Sequence, residues 1–438
     1  METETNRSIL TRAKVLVARI GLSAAIMVLA SCHAAPMPSP DWFPAPPARL
    51  HIDGQCGHLP RLVGPKLAPS IHCVALVDDN LIFPRSVEVI NKDILLVDKG
   101  ANLFDSSRPN GALYLYKRLT EDTDFQRIRI VGGLDNPSGL AVGGTNELFV
   151  FVSTRDQVLR IEPYAADPKQ RVTVVIDELP TSGWHSVTGI HIQGDALYVS
   201  IPSATDHCEG DSLRPSEVVY PCTEVDPATD VDHQTAAIRR YRIDPQGNVS
   251  SEFDLMASGL RNALAIQSHP AHDLLYAVDN GWDQIASIGT DYSKTPYDEL
   301  NVIPLSANAP PLHYGWPYCF DHGRVSPPYI GFNLDCTSFH QPTVLLPPHS
   351  APLGIALVES TLWINLHGFA PAGHRTVRIQ LDPNGIPIKP LDEMIHWQFE
   401  ASERGKNGRP FDLAVYDEDA LLVTDDWNGA LFMVVLNP

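Results

Sequence analysis

A hairpin pattern that recurs six times along the chain constrains its fold more than any other feature. Each copy begins with a basic or turn residue, continues with a short apolar strand and a polar turn, and ends with a second apolar strand. The copies begin at Phe83, Asn136, His185, Arg261, Ala351 and Gly408. Because one hairpin cannot bury both faces of its sheet, whereas a closed ring of sheets can, the pattern predicts an all-β fold, a six-bladed β-propeller.

The first position of each repeat should begin the innermost strand of a blade, so these positions converge on the propeller axis. The residues there are Arg85, Asn136, His185, Arg261, Pro352 and Arg409. Three arginines and a histidine around one axis would repel one another in an empty tunnel, which favours a bound anionic ligand. In the alternative interpretation, each arginine pairs with an acidic residue of the neighbouring blade.

The overall charge limits the kinds of partner. A chain with a net charge of −20 has no electrostatic reason to bind nucleic acid or an anionic lipid surface. Any contact with a membrane should therefore come from a lipid anchor.

The N-terminal segment has the layout of a secretory signal, because a short cationic stretch precedes an apolar run at residues 20–29. This run is too short to span a bilayer. The string Leu29-Ala30-Ser31-Cys32 resembles a bacterial lipobox. It implies cleavage before Cys32, acylation of that residue and tethering to a membrane on the non-cytoplasmic side. The alternative is an ordinary secretory signal in which Cys32 is incidental.

A Pro-rich stretch at residues 36–47 follows and is best interpreted as a semi-rigid tether. These features divide the chain into a signal peptide at 1–31, a tether and N-terminal extension at 32–75, and a propeller at 76–438. His33 follows the cysteine in place of an aspartate, which favours the outer membrane of a Gram-negative host. We therefore expect a periplasmic, lipid-anchored protein.

Six further cysteines remain, and an even number in an exported chain suggests disulfides. Proximity along the chain favours three local pairs, although other connectivities are possible. These pairs are Cys56–Cys73, Cys208–Cys222 and Cys319–Cys336. A metal site made of cysteines is disfavoured, because no CxxC or CxxH pair occurs.

Several motifs follow one another in the order found in a known enzyme family. They are GLRN at 259–262, DNG at 279–281, DELN at 298–301, HYGWPYC at 313–319, LHG at 366–368 and GRP at 408–410. His185 opens the third repeat and is followed by a turn and the strand LYVS. From Pro84 to Val435 the chain thus resembles the pyrroloquinoline-quinone-dependent glucose/sorbosone dehydrogenase family of soluble six-bladed propellers. The string HYGWPYC points to the sorbosone-type branch.

The resemblance implies oxidation of an aldose or a sugar aldehyde, with pyrroloquinoline quinone (PQQ) and Ca²⁺ as cofactors and a respiratory electron acceptor. His185 would be the base that removes the hydroxyl proton, a task suited to an imidazole with a reference pKa of about 6.5. Arg261 would stabilise the negative charge that develops on a quinone oxygen as hydride arrives.

The same correspondence implies the residues that contact the cofactors. Arg409 would hold a quinone carboxylate with its bidentate guanidinium, and Arg375 would stand in for a basic residue that the family has after LHG. Ca²⁺ would be bound by backbone oxygens of Gly281 and Trp282. The complete set implied for the quinone is Arg261, Asn262, Asn280, Arg409 and Arg375.

Two segments depart from the family pattern. Asn262 is followed directly by Ala263 where the family has Pro-x-Gly, and Phe369 begins a segment where the family has Ser-Trp-Asn-Arg. A non-catalytic propeller that binds a sugar or a protein partner is therefore the second hypothesis. A calcium-dependent lactonase ranks third, because bases and not carboxylates occupy the axial positions. The string DDWNG at 425–429 is interpreted as a hairpin turn and not as a ligand set. Sugar specificity should lie in residues 203–235 and 286–350.

Overall fold

The computed structural model of the chain describes residues 50–101, 109–119, 125–143, 148–167, 171–181, 183–185, 189–210, 218–283, 294–306, 310–399 and 407–437. The chain divides into two units, residues 1–44 and 45–438. The first unit lies outside the described residues, and so does the predicted lipid site at Cys32. Regular structure in the described part consists of thirty strands, numbered β1 to β30 in chain order, and of short 3-10 helices. The 3-10 helices are Val231–His233, Pro327–Phe332 and Cys336–Ser338.

Six sheets form the blades of a propeller, so the predicted fold class is confirmed. In each blade the chain enters at the innermost strand and the next strands follow outwards in antiparallel order, except that the outermost strand of the last blade comes from before the first blade. Blade one is β5 (Pro84–Ile90), β6 (Asp93–Asp98), β7 (Gly111–Arg118) and β8 (Phe125–Leu134). Blade two is β9 (Leu140–Gly143), β10 (Phe149–Ser153), β11 (Val158–Ile161) and β12 (Val172–Ile176). Blade three is β13 (Gly189–Gln193), β14 (Ala196–Ile201), β15 (Ala237–Ile243) and β16 (Val249–Ser258).

The second half of the ring follows the same plan. Blade four is β17 (Ala265–Ser268), β18 (Leu274–Asp279), β19 (Asp298–Pro304) and β23 (Val344–Leu346). Blade five is β24 (Pro352–Val358), β25 (Thr361–Leu366), β26 (Arg375–Leu381) and β27 (Pro387–His396). Blade six is β28 (Pro410–Asp417), β29 (Ala420–Asp425), β30 (Ala430–Leu436) and β4 (Ile71–Asp78).

Short additional strands extend three of the blades. β20 (Leu312–His313) pairs in parallel with β16, and β3 (Lys66–Leu67) pairs with β27. β1 (His51–Cys56) and β2 (Leu59–Val63) continue the sheet of blade six beyond β4. β21 (Cys319–Phe320) and β22 (Arg324–Val325) form a separate small hairpin.

The alternation of side chains explains why blades form from these residues. All five residues of β10 are buried, because Val150 and Val152 pack in the hydrophobic cluster shared with blade one, whereas Phe149 and Phe151 pack in the cluster shared with blade three. Six such clusters fill the spaces between adjacent blades. Each blade is therefore apolar on both faces, as the repeated runs of Val, Ile and Leu require.

Closure of the ring depends on a strand that precedes the first blade. β4 pairs antiparallel with β30, with Cys73 opposite Val435 and Val74 opposite Val434. The boundary placed at residue 76 from the sequence falls inside β4, so it requires correction: the propeller begins at Ile71 or earlier, because this strand is part of blade six.

Three disulfides connect the cysteines as proximity favoured, between Cys56 and Cys73, Cys208 and Cys222, and Cys319 and Cys336. The first joins β1 to β4, and the other two close insertions between blade strands, where Cys319 begins β21. Within the described ranges, no helix is long and apolar enough to cross a bilayer.

Candidate active site

The innermost strands position the candidate residues. β5, β9, β13, β17, β24 and β28 line an axial cavity of about 290 Å³. Arg85 lies in β5, Arg261 and Arg409 shortly precede β17 and β28, and His185 shortly precedes β13. His191, in β13 itself, lines the cavity, and its Nε2 accepts a hydrogen bond from the backbone nitrogen of Ser268 at 3.1 Å.

His185 is half-buried, and Ser203 fixes its ring. Nδ1 lies 2.9 Å from the backbone oxygen of Ser203 and 3.1 Å from its Oγ. A carbonyl oxygen can only accept a hydrogen bond, so Nδ1 carries the proton and Nε2 keeps its lone pair. Burial, and then the charge of Arg261, lower the pKa of His185 to about 4. His185 is therefore neutral at neutral pH and can accept a proton at Nε2.

Arg261 is buried, and a carboxylate of blade three neutralises it. Its Nη2 donates to Oδ1 of Asp206 and, at 3.0 Å, to Oδ2 of Asp283. Its Nε donates to the backbone oxygen of Asp206 at 3.1 Å, and Nη1 donates to that of Asn280 at 3.2 Å. Burial opposes the ionisation of Asp206, but Arg261 outweighs it and holds the pKa of Asp206 well below its usual range.

The short turn after Arg261 is held by a buried carboxylate. The backbone nitrogens of Arg261 and Asn262 donate to Asp279 at 2.9 and 2.6 Å. Burial raises the pKa of Asp279 to about 7, even though these two hydrogen bonds oppose the shift. Asn262 and Asn280 each have a buried Oδ1 that accepts no hydrogen bond among the described residues. The turn thus presents two amide oxygens that a ligand could use.

Gly281 and Trp282, the residues implied for Ca²⁺, follow this turn. The backbone nitrogen of Gly281 donates to Oδ1 of Asp298 at 2.8 Å. The Trp282 ring is buried and stacks on the His207 ring, with 5.1 Å between the ring centres. Neither backbone oxygen accepts a hydrogen bond from the part of the chain that the structure describes. Among the described residues, no donor therefore competes with an ion for these two oxygens.

A second buried cluster, which we call the arginine cluster, joins blades five, six and one. Arg85 Nη1 lies 3.1 Å from Asp426 Oδ2, and His367 Nε2 lies 2.9 Å from both oxygens of that carboxylate. Arg409 Nη2 lies 2.8 Å from His367 Nδ1, and its guanidinium lies 3.6 Å from the ring centre of Phe369. Because a guanidinium only donates, His367 Nδ1 accepts and Nε2–H donates to Asp426.

This cluster contains buried donors that lack a partner. Arg85 and Arg409 lie near the carboxylates of Asp425 and Asp426, and burial, with Arg409 next, lowers the pKa of His367 to about 4 and so keeps it neutral. Burial also lowers the pKa of Arg409 to about 10, although the nearby carboxylates oppose this shift. Arg85 Nε and Arg409 Nη1 are buried and have no acceptor among the described residues. An unpaired buried donor is costly, so the cluster favours an anionic ligand.

The structure separates the two interpretations of the axial arginines. Arg85 and Arg261 pair with Asp426 and Asp206 from neighbouring blades, as the alternative interpretation expected. Arg409 instead hydrogen-bonds to His367.

One assignment made from the sequence needs correction, and another is confirmed. Arg375 does not reach the axis, because it begins the third strand of blade five and pairs with Glu393 at 2.6 Å. The turn interpretation holds for Asp425, which accepts the backbone nitrogens of Trp427 and Asn428. Asp426 lies in the same turn, at residues 426–429, and its side chain joins the arginine cluster.

Several important partners could not be found from the repeats. Ser203 and Asp206 lie in the insertion between β14 and β15, where no pattern indicates which side chain turns inwards. His367 lies in the LHG motif, so this motif was the sequence signal that could have identified it as a site residue. Asp283 directly follows the DNGW string, in a segment with no periodicity.

The two carboxylates of Arg261 allow a matched test. Asp206 is buried, whereas the Asp283 side chain is 62% exposed. Asp206→Asn leaves a buried guanidinium without its main counter-charge, so the free energy of unfolding should fall by about 3–5 kcal/mol. Asp283→Asn should lower it by less than about 1 kcal/mol. Urea unfolding of both variants measures the difference, and equal losses would contradict this account.

Comparisons of the sequence with known proteins identify similar chains. Residues 221–327 match the TrAA12-like family model. An uncharacterised protein of Borreliella burgdorferi is 26% identical over 194 residues, which cover 41% of this chain and 48% of that protein. A pyrroloquinoline quinone-dependent sugar dehydrogenase of Hypocrea jecorina is 25% identical over 194 residues, which cover 38% of this chain and 44% of that protein. The matches thus span about half the length of these curated relatives.

Solved structures share the fold. A calcium structure of a Trichoderma reesei carbohydrate-active enzyme of family AA12 has a TM-score of 0.69 and 18% identity, and the match covers 85% of this chain and 97% of that one. The holo form of the pyranose dehydrogenase PQQ domain from Coprinopsis cinerea has a TM-score of 0.63 and 17% identity, with 87% and 99% covered. These structural likenesses establish the propeller fold. The family-model match and the sugar dehydrogenase relative confirm the predicted resemblance of this chain to the PQQ-dependent sugar dehydrogenases.

Proposed function

We propose that this chain is an oxidoreductase that oxidises an aldose or a sugar aldehyde with PQQ as its cofactor. The observation that carries the proposal is the neutral His185, with its Nε2 lone pair, close to Arg261 at the entrance of the innermost strands. A base of this kind can remove a hydroxyl proton, which is the protein's part in alcohol oxidation. The sugar dehydrogenase among the relatives supports the substrate class.

The residues present fit a quinone that carries several carboxylates. Arg85 Nε and Arg409 Nη1 are buried donors without an acceptor among the described residues, and carboxylate groups of such a ligand would satisfy them. Asn262 and Asn280 offer amide oxygens to N–H groups of the same ligand. The cofactor would therefore lie between the Arg261 turn and the Arg409 cluster.

Calcium is the second cofactor that we propose. Backbone oxygens suit Ca²⁺, and those of Gly281 and Trp282 would hold it beside the quinone. The calcium structure of the Trichoderma reesei relative supports this choice of ion.

The proton chemistry follows from the hydrogen bonds of His185. When bound, PQQ would accept the hydride that leaves the sugar carbon. His185 Nε2 takes the hydroxyl proton, while Ser203 holds Nδ1–H and so fixes the tautomer and the ring orientation. At rest, burial and Arg261 keep the imidazole neutral. Asp206 and Asp283 stabilise the positive charge that the ring gains with the proton.

His185→Ala should lower kcat by a factor of about 10²–10⁴, because the general base is lost. PQQ binding should persist, since His185 donates to Ser203 and makes no bond to the arginine cluster. Stopped-flow bleaching of the quinone absorption on sugar addition measures turnover, and titration with PQQ and Ca²⁺ measures binding. His191→Ala is the matched control. His191 also lines the axial cavity, but its Nε2 already accepts a hydrogen bond from Ser268, so this variant should keep wild-type turnover. Wild-type turnover in loaded His185→Ala protein would refute the assignment of the base.

The pH dependence of kcat/KM provides an independent test. His185 acts only as the neutral base, so activity should fall as the pH drops through its pKa of about 4. The acidic limb should therefore lie well below the reference value of about 6.5. An acidic limb at pH 6.5 would show that the working base is not buried beside Arg261.

The alternative function is a propeller that binds a sugar or protein partner without catalysis. Absorption titration of wild-type protein with PQQ and Ca²⁺ separates the two functions, because a binding module has no use for the quinone. If wild-type protein binds neither PQQ nor Ca²⁺, the enzyme proposal fails and the binding module becomes the proposed function.

We also propose that the protein is periplasmic, with Cys32 anchored by lipid and a respiratory acceptor receiving the electrons. The lipobox-like string and the Pro-rich tether support this location. Cys32→Ser should move the protein from the membrane to the soluble fraction, as measured by immunoblotting of both fractions. Ser31→Ala is the control and should remain anchored, because a small residue still precedes the cysteine. A membrane-bound Cys32→Ser variant would refute the anchor.

A further inference from the structure

The guanidinium of Arg409 is enclosed, although the proposed function requires it to meet a carboxylate. Its Nη1 is buried and has no acceptor among the described residues. A carboxylate oxygen is about as large as a water molecule, so a ligand cannot touch an atom from which water is excluded. The arginine cluster is therefore closed to an anion in this conformation, and a neighbouring group must move before a carboxylate binds.

The side chain that covers this guanidinium is Phe369. The ring centre of Phe369 lies 3.6 Å from the guanidinium carbon of Arg409, which is within the range of a cation–π contact. Arg409 is only 4% exposed, whereas Phe369 is 40% exposed. Phe369 thus lies between the guanidinium and solvent, and its exposed side leaves the ring room to move.

The backbone that carries Phe369 is held on both sides. The backbone nitrogen of Gly368 donates to the backbone oxygen of Ser350 at 2.7 Å, and Arg375 Nη1 donates to that of Gly373 at 2.7 Å. A Cβ atom on Gly373 would collide with the carbonyl oxygen of Gly368, so the loop closes tightly on itself. Exposure of Arg409 therefore requires rotation of the Phe369 side chain and not opening of the loop.

Two aromatic contacts favour the covering position of the ring. One is the contact with Arg409 itself, and the other is an edge-to-face contact with Trp427, at 5.9 Å between ring centres and 88° between ring planes. Contacts of these kinds are individually weak. The ring can therefore leave the guanidinium without disturbing the blades, and a ligand carboxylate can take over the contact with Arg409.

We propose that Phe369 is a gate over Arg409, which rotates outwards before a carboxylate of the cofactor binds. This inference rests on the proposed function, because it concerns how PQQ reaches its carboxylate partner. In the closed position the ring shields Nη1, and in the open position Nη1 can donate to the ligand. Phe369 begins the segment that departs from the family pattern after LHG, so that departure supplies the gate. Since only the open fraction of the protein can bind, the gate slows association.

Modification of arginines by phenylglyoxal tests the gate without PQQ. The reagent adds to accessible guanidinium groups, and peptide mass spectrometry measures the rate at each arginine. Arg409 should react about tenfold faster in Phe369→Ala than in wild type, because its cover is gone. Arg261 is the internal control, since it is equally buried but lies in the other cluster, and Arg378, with a side chain 38% exposed, is the accessible reference.

The outcomes of this modification experiment separate the gate from a general loss of structure. An unchanged rate at Arg409 in Phe369→Ala, or a wild-type rate equal to that of Arg378, would overturn the gate. If Arg261 also becomes reactive, the variant is misfolded. Phe369→Val then replaces it, because a short side chain cannot cover the guanidinium either, and the same increase at Arg409 alone is expected.

The association of PQQ provides the second measurement. Stopped-flow absorption with excess Ca²⁺ should give an association rate constant about tenfold larger for Phe369→Ala than for wild type. Tyr164→Ala is the matched control and should keep the wild-type value, because Tyr164 is an aromatic residue of blade two that is 56% exposed. Equal rate constants in wild type and Phe369→Ala would overturn the gate. A wild type that binds no PQQ would refute the proposed function, and the phenylglyoxal rates would then decide separately whether Phe369 covers Arg409.

Discussion

The pairing of β4 with β30 is the interaction on which the rest of the structure depends, because it joins the beginning of the propeller to its end. Without β4, the edge of β30 would be unpaired. The hydrophobic clusters on both sides of blade six would also lose the buried side chains that β4 contributes. Closure also brings Arg85 of blade one to Asp426 of blade six, and Thr424 Oγ1 to the backbone oxygen of Arg85 at 2.7 Å. The arginine cluster is therefore a product of ring closure and cannot form on an isolated blade.

The two charge clusters at the axis differ in how far their guanidinium groups are satisfied, and this difference suggests where an anionic ligand group would bind. Arg261 donates to two carboxylates and two backbone oxygens, whereas Arg85 Nε and Arg409 Nη1 have no acceptor among the described residues. An anionic group gains little beside Arg261, because Asp206 and Asp283 already neutralise that guanidinium. It gains more beside Arg409, where a buried donor has no acceptor among the described residues. If PQQ binds as proposed, Arg409 would hold one of its carboxylates, while His185 would act on the sugar.

The sequence was sufficient for the features that repeat or lie close together. Blade strands such as β10 follow from alternating apolar residues, and the Cys208–Cys222 disulfide follows from proximity. Contacts between blades could not be predicted in the same way. Asp206 lies 55 residues from Arg261, in an insertion without periodicity. Arg375 was misplaced because the segment after LHG offers no family pattern to align. Only the folded structure shows that it lies opposite His396 of β27 and that its side chain pairs with Glu393.

The insertions explain how a divergent sequence can keep an ordered site. Trp282, Trp316 and Tyr329 belong to a seventh hydrophobic cluster, which is separate from the six between the blades and includes both disulfides that close the insertions. This small core fixes the backbone around Asp206, so the partner of Arg261 is positioned by packing and not by blade geometry. Asp279 does the same for the short turn, because its carboxylate accepts both backbone nitrogens that a longer turn would have to satisfy elsewhere. Substitutions in the loops can therefore change what reaches His185, while the blades continue to hold it at the axis.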